Sequence, residues 1–261
     1  MRALCVGGVI ALLVCCAPLG ACDLSGALDY MASRQESYVD ELKEFVALPS
    51  VSGALDKFDS MRKTAEWVAV RLRKAGFQDI SVLDTNGPCP AVLGTLSAQD
   101  PDALTVLFYG HYDVQPADPE SDWSSPPFEL RSHGGSVYGR GVSGNKGGVA
   151  AALQGLEAIA RSGGLERLNV KVLIEGEKEI LSPFFREFVS KHVSELSCDL
   201  ALSLLGSQPS PTSPALTLGF RGAAAMDIRV SALARELRAG PLDGAVQNPA
   251  AALVAMLASL R

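Results

Sequence analysis

Four short apolar runs constrain this fold more than any other feature: "AVLGTL" at 91–96, "LTVLFYG" at 104–110, "LNVKVLIEG" at 168–176 and "CDLALSLL" at 198–205. Each is nearly continuous in apolar residues instead of alternating, the pattern of strands covered on both faces. "DISVLD" at 79–84 reads as a fifth. Helical spacing separates them. Met31, Tyr38, Leu42, Phe45 and Val46 recur through 28–48 until Pro49 stops the run, and Trp67, Val70 and Leu72 through 60–74 until Gly76. Residues 147–160 read as a small-residue buried helix and 184–193 as another. Strands alternating with helices predict an α/β fold, a mixed and largely parallel sheet flanked by helices, over residues 23–212. Beyond Pro214 the texture changes. "ALTLGF" and "AAAMDIRVSA" read as two strands, 236–247 as a loop and "NPAAALVAMLASLR" as a helix with Pro in its first turn, the elements of a small α+β domain over 213–261.

Residues 1–22 stand apart from this pattern. After Arg2 the stretch "ALCVGGVIALLVCCAPLGAC" is apolar for less than a bilayer span and contains Pro18, which suits a secretory signal better than a transmembrane helix. Its end, "LGAC", resembles a bacterial lipobox, so Cys22 is the expected lipidated residue and the cell envelope the expected location, with the lipid as membrane anchor. An ordinary signal, giving a secreted or periplasmic protein, and a start codon placed too early, giving a cytoplasmic one, are the alternatives. Cys89 and Cys198 are the cysteines of the body, too few for a disulfide scaffold and without zinc-site spacing. A net charge of −6, with no long basic run, argues against a nucleic-acid surface.

Two motifs carry chemistry. "GHYDVQP" sets His111 and Asp113 just past a buried strand, two residues apart and so on the same side of an extended segment, where the acid can orient an imidazole. "IEGEKEILSP" crowds Glu175, Glu177 and Glu179 around Lys178. A strand-end histidine satisfied by a nearby acid would be the plain reading of the first, were it alone. Between them lie "DWSSPPFEL" and "GRGVSGNKGG".

This order resembles the di-zinc metallopeptidases of the carnosinase, aminoacylase and desuccinylase type, closest to their dipeptidase branch. The resembling frame includes Gly110, His111, Asp113, Pro116, Trp123, Pro127, Phe128, Arg140, Lys146, Glu175, Gly176, Glu179, Asn248 and Pro249. The resemblance implies two Zn ions sharing a bridging water and aspartate, a glutamate general base, and hydrolysis of dipeptides or acylated amino acids. It places His111 and Glu179 on metal-ligand positions and Asp113 on the orienting acid. It also implies a dimerisation (lid) domain inserted in the catalytic one, so that the C-terminal 213–261 would be the truncated start of that lid, served by a homodimer partner or by a complementing C-terminal chain.

Several positions depart from the family pattern. Gly144 stands where the bridging aspartate belongs, Lys178 where the general base belongs, Leu205 at a strand-end aspartate ligand, and Arg238 at a substrate-binding histidine. The changes at 144, 178 and 205 shift the pocket's charge by as much as two zinc ions would, and Lys178 can pair with Glu179, Glu175 or Asp113. The expectation is a catalytically inactive relative, or truncated remnant, that binds a peptide-like or amino-acid-like ligand or a partner. An active or single-metal hydrolase and one half of a split enzyme are the alternatives. His133, His192 and Arg238 read as solvated polar residues.

Overall fold

The computed structural model describes residues 24–54, 58–206, 208–210, 213–219, 221–232, 240 and 244–260. Cys22 and Arg238 lie outside the described residues. The chain divides into two compact units, one up to Leu216 and one from Thr217.

The first unit is built on a five-stranded sheet of β1 (Asp79–Leu83), β2 (Ala91–Leu96), β3 (Leu104–His111), β6 (Leu168–Glu175) and β7 (Leu200–Ser203), in the order β1-β2-β6-β3-β7. β3 runs parallel to both β6 and β7, while β2 is antiparallel to β6 and to β1. Four of the five strands therefore point one way and β2 is reversed. A separate hairpin pairs β4 (Arg131–His133) with β5 (Ser136–Tyr138) through Gly134 and Gly135, both at positive φ.

Strand alternation divides two cores. Val92, Val106, Phe108, Val170, Val172 and Ile174 face the larger core, beneath α1 (Ser25–Ser33), α2 (Gln35–Val46), α3 (Phe58–Lys74) and α4 (Gly147–Arg161). Ala91, Leu93, Leu107, Tyr109 and Leu173 face the smaller one, closed by Phe185, Phe188 and Val189 of α5 (Phe185–Lys191) and Leu196 of α6 (Val193–Leu196). Successive side chains take opposite faces, so a continuous apolar run can serve both cores.

Two helix expectations change in detail. The run read as one helix over 28–48 breaks at Arg34, whose ψ of 6° lies outside the helical range, into α1 and α2. In α3, Val70 is 48% exposed and its neighbour Arg71 is 2% exposed, the reverse of what hydrophobic spacing predicts. The cause is a buried ionic triad. Arg71 Nε lies 2.8 Å from Glu41 of α2, and Arg71 Nη2 lies 2.7 Å from Glu157 of α4. Two carboxylates on neighbouring helices draw the guanidinium inward, where its rigid fork satisfies both.

In the second unit the regular element among the described residues is α7 (Pro249–Ala258), with the Asn248 side chain capping Ala250 N–H at 2.8 Å and Pro249 in the first turn, as the sequence leads one to expect. The described parts of the two expected strands, 215–219 and 223–232, form no ladder. A strand gains its stability from a paired edge, and a short apolar run without one stays extended but unpaired.

Candidate active site

The residues singled out from sequence gather at one end of the parallel strands. His111 ends β3 and stands opposite Glu175, which ends β6; Ser203 of β7 stands opposite Tyr109, so Leu205 follows at the same end. The carboxyl ends of parallel strands are where open α/β sheets bind ligands, because the loops there diverge from the sheet.

His111 is fully buried. Its Nδ1 donates to Asp113 Oδ1 at 2.9 Å and lies 3.1 Å from the Asp113 carbonyl, and both partners are acceptors. With acceptors on both sides, Nδ1 carries a proton, and Nε2 is turned towards Glu179. Nε2 has no hydrogen-bond partner and lies 3.7 Å from Glu179 Oε1. Asp113 is held from its other side by Ser52 Oγ at 2.7 Å and by the Glu179 N–H at 2.8 Å. It orients the imidazole as the sequence suggests, and it also pins the turn that carries Glu179.

That turn, the 3₁₀ segment 178–180, is closed by Leu181 in the left-handed region, φ 68°. It sets Lys178 Nζ 3.0 Å from Glu179 Oε1, and the other carboxylate oxygen accepts from Gln115 Nε2 at 2.7 Å. Of the three partners open to Lys178 in the sequence, the structure pairs it with Glu179. Glu175 instead accepts from Tyr109 and Ser182, and burial raises its carboxyl above the usual range against those hydrogen bonds. Glu177 is buried with Oε1 unpartnered; desolvation first, then the charges of Glu175 and Asp113, push it up to about 7.

Gly144 offers no donor, and a Cβ built on it would meet nothing within 4 Å. Leu205 lies in the turn after β7, half exposed. Among the described residues no group of three or more His, Cys, Asp or Glu side chains is arranged to hold a metal ion. The bare Nε2 of His111 suits one bond to a metal, and Glu179 suits another. With no donor at 144 or 205 and an ammonium on the Glu179 carboxylate, these residues do not fit a two-zinc centre.

Three contributors escaped sequence reasoning: Asn145, Gln115 and Ser52. Asn145 is buried and joins two strands, accepting from His111 N–H at 3.2 Å and donating to the Leu204 carbonyl at 2.7 Å. Gln115, inside "GHYDVQP", could have been found from the motif; Ser52 carried no signal. Lys146, in "GNKGG", is fully buried and donates to the carbonyls of Phe45 and Leu48 at 2.8 and 2.6 Å. The other motif residues hold loops: Arg140 donates to the Pro116 carbonyl at 2.8 Å and lies over the Trp123 ring at 4.7 Å. Gly176 is required because any Cβ there would run into the ring and hydroxyl of Tyr112. His133 stands on the exposed hairpin, and His192 packs on Phe188 at the end of α5.

Comparison with known proteins agrees with this frame. Residues 107–234 match peptidase family M20/M25/M40. The Beta-Ala-His dipeptidase of Homo sapiens is 30% identical over 249 residues, covering 91% of this chain and 49% of that protein. The Cys-Gly metallodipeptidase dug1 of Schizosaccharomyces pombe is 29% identical over 241 residues, covering 87% and 50%. The crystal structure of human carnosine dipeptidase 1 superposes with a TM-score of 0.63 at 31% identity, covering 69% of this chain and 40% of that one. The dipeptidase Dug1p of Saccharomyces cerevisiae gives 0.64 at 26%, with the same coverage. The chain spans about half the length of the curated relatives it matches.

Proposed function

We propose, on the premise that this chain carries a domain of peptidase family M20/M25/M40 and is a relative of its dipeptidases, that it is a metallo-dipeptidase-like protein that does not hydrolyse peptides. One observation carries the reading: the Glu179 carboxylate, the one nearest His111 Nε2, has both oxygens bound by the chain's own Lys178 and Gln115. Hydrolysis in this family type needs a polarised water and a base to take its proton. Lys178 stands at the base position as an ion-pair donor, and losing a general base alone costs about 10²- to 10⁴-fold. Gly144 and Leu205 remove donors besides. What is retained is the frame, as a binding unit for a peptide-like or amino-acid-like ligand.

The test is hydrolysis of a dipeptide panel including β-Ala-His and Cys-Gly, with the zinc content measured on the same purified sample. No turnover above the blank and less than one zinc per chain are expected. Stoichiometric zinc with chelator-sensitive turnover would sink the proposal. Lys178→Glu alone restores no turnover, because positions 144 and 205 still lack donors.

A second reading has a specific observation in its favour. The buried, unpartnered Nε2 of His111, 3.7 Å from Glu179, suits a single-metal hydrolase, and one zinc per chain with turnover would select it. The split-enzyme alternative has its own test: turnover gained only on co-expression with a complementing C-terminal segment would establish it. Anchoring at the bacterial envelope through Cys22 rests on the leader motif. Incorporation of labelled palmitate in a bacterial host, lost in Cys22→Ala, is the expected result.

A further inference from the structure

We infer that the Lys178 ammonium is a tethered counter-ion that takes over the charge role of a metal, so that this end of the sheet folds without divalent cations and resists binding them. The inference rests on the absence of a two-zinc centre but makes a claim about folding instead of hydrolysis.

Four carboxylates converge here, and their partners differ in kind. Asp113 is met by an imidazole N–H, a hydroxyl and a backbone N–H; Glu175 by two hydroxyls; Glu177 keeps one oxygen unpartnered. Among the described residues, Lys178 is the ammonium or guanidinium in ion-pair contact with any of the four. The basic side chains of the "GRGVSGNKGG" segment are committed to carbonyls: Lys146 to Phe45 and Leu48, and Arg140 to Pro116. Concentrated negative charge out of water is costly unless a cation answers it. In a metal enzyme that cation is an ion drawn from solution, whereas here it is covalently attached one residue from its partner. Attachment sets a high effective concentration, and a free ion must displace it.

The geometry adds direct competition. Glu179 Oε1 is shared, 3.0 Å from Lys178 Nζ and 3.7 Å from His111 Nε2, so an ion bridging His111 and Glu179 would have to take the oxygen that Lys178 holds. The other oxygen is held by Gln115. The turn leaves little freedom to yield, since the Glu179 N–H is bound to Asp113.

The experiment is thermal unfolding of the full chain in EDTA and in zinc sulfate, for wild type, Lys178→Gln and Lys178→Glu. Wild type should melt at the same temperature in both. Lys178→Glu should melt about 2–4 °C lower in EDTA, the shift expected from loss of one partly exposed ion pair, and zinc should recover it. Lys178→Gln should show a smaller loss, with a zinc response weaker than that of Lys178→Glu. Zinc stabilisation of wild type, an unchanged Lys178→Glu in EDTA, or a Lys178→Glu that zinc does not recover would each overturn the inference. So would a zinc shift that persists when Glu179→Gln is added, because the ion would then sit elsewhere. Wild type that is stabilised by zinc without turnover overturns this inference alone; turnover in zinc with no change in melting overturns the proposed inactivity alone.

Discussion

Arg71→Met lowers the melting temperature by about 6–20 °C. Breaking a buried ion network by removing one member costs about 3–5 kcal/mol, and each kcal/mol moves a domain of this size by about 2–4 °C. Arg71 joins α2, α3 and α4 through Glu41 and Glu157, and the Glu157 carboxylate also accepts from Tyr30 of α1 at 2.7 Å. Burial works against ionisation of Glu157, but the hydrogen bond from Tyr30 and the Arg71 charge hold its carboxyl below the ordinary range. With methionine at 71, two carboxylates stay buried without their shared cation. The same reasoning predicts that adding Glu41→Leu and Glu157→Leu recovers most of the loss, since replacing all partners with apolar groups of similar size is often neutral. Circular dichroism melts of the single and triple variants check this; a triple variant no better than the single one would show that the cost was packing.

Lys146→Met is expected to cost about 1–3 kcal/mol, because it removes two hydrogen bonds at about 0.5–1.5 kcal/mol each, while the Phe45 and Leu48 carbonyls keep the N–H groups of Leu48 and Ser50 at 3.4 and 2.8 Å. The amine closes the end of α2, donating to Phe45 and Leu48 with its Nζ 4.9 Å from the centre of the Phe45 ring. Burial lowers it from 10.5 to about 7, with the Asp113 charge acting the other way. Across that window the unfolded chain holds a proton that the folded chain has released, so this residue makes stability rise with pH from about 7 towards 10.5. The neutral amine keeps two N–H donors, enough for both carbonyls. Denaturant unfolding between pH 7 and 9 tests the slope. Above that range the Cys89 thiol and Tyr38 phenol, each pushed up to about 12 by burial, act in the opposite sense. Below it Glu177 does too, its raised carboxyl making stability fall from about pH 4.5 to 7. Lys146→Met should flatten the rise between 7 and 9; an unchanged slope would assign it to another group.

Legibility followed sequence separation. All five strands of the main sheet were readable, because a short apolar or β-branched run bounded by turn residues marks a strand locally, even where, as in β1 and β7, its residues are not fully buried. The pairing of His111 with Asp113 was readable for the same reason, since residues two apart on an extended segment share a side. Val70 and Arg71 were misread because spacing counts apolar residues, while the helix face was decided by Glu41 and Glu157, 30 and 86 residues away. The runs at 215–219 and 223–232 were misread because apolar character reports the wish for burial, not the presence of an edge to pair with.

The amino-acid order by itself determined the five strands of the main sheet and the helices between them, though not the β4–β5 hairpin or the break at Arg34, together with the peptidase-like frame and the absence of donors at Gly144 and Leu205; a missing side chain needs no coordinates to be missing. It also determined that a cation stands among the carboxylates. Tertiary structure alone decided which carboxylate Lys178 neutralises, that His111 Nε2 is left bare, and that Asn145 and Gln115 complete the surroundings. The register of β3 against β6 and β7 decides this, together with the turn at 178–180. The bonds of Asn145 to His111, Gln115 to Glu179 and Glu179 to Asp113 join residues 34 to 66 positions apart, and no local rule sets which of several nearby acceptors is reached until the strands are paired.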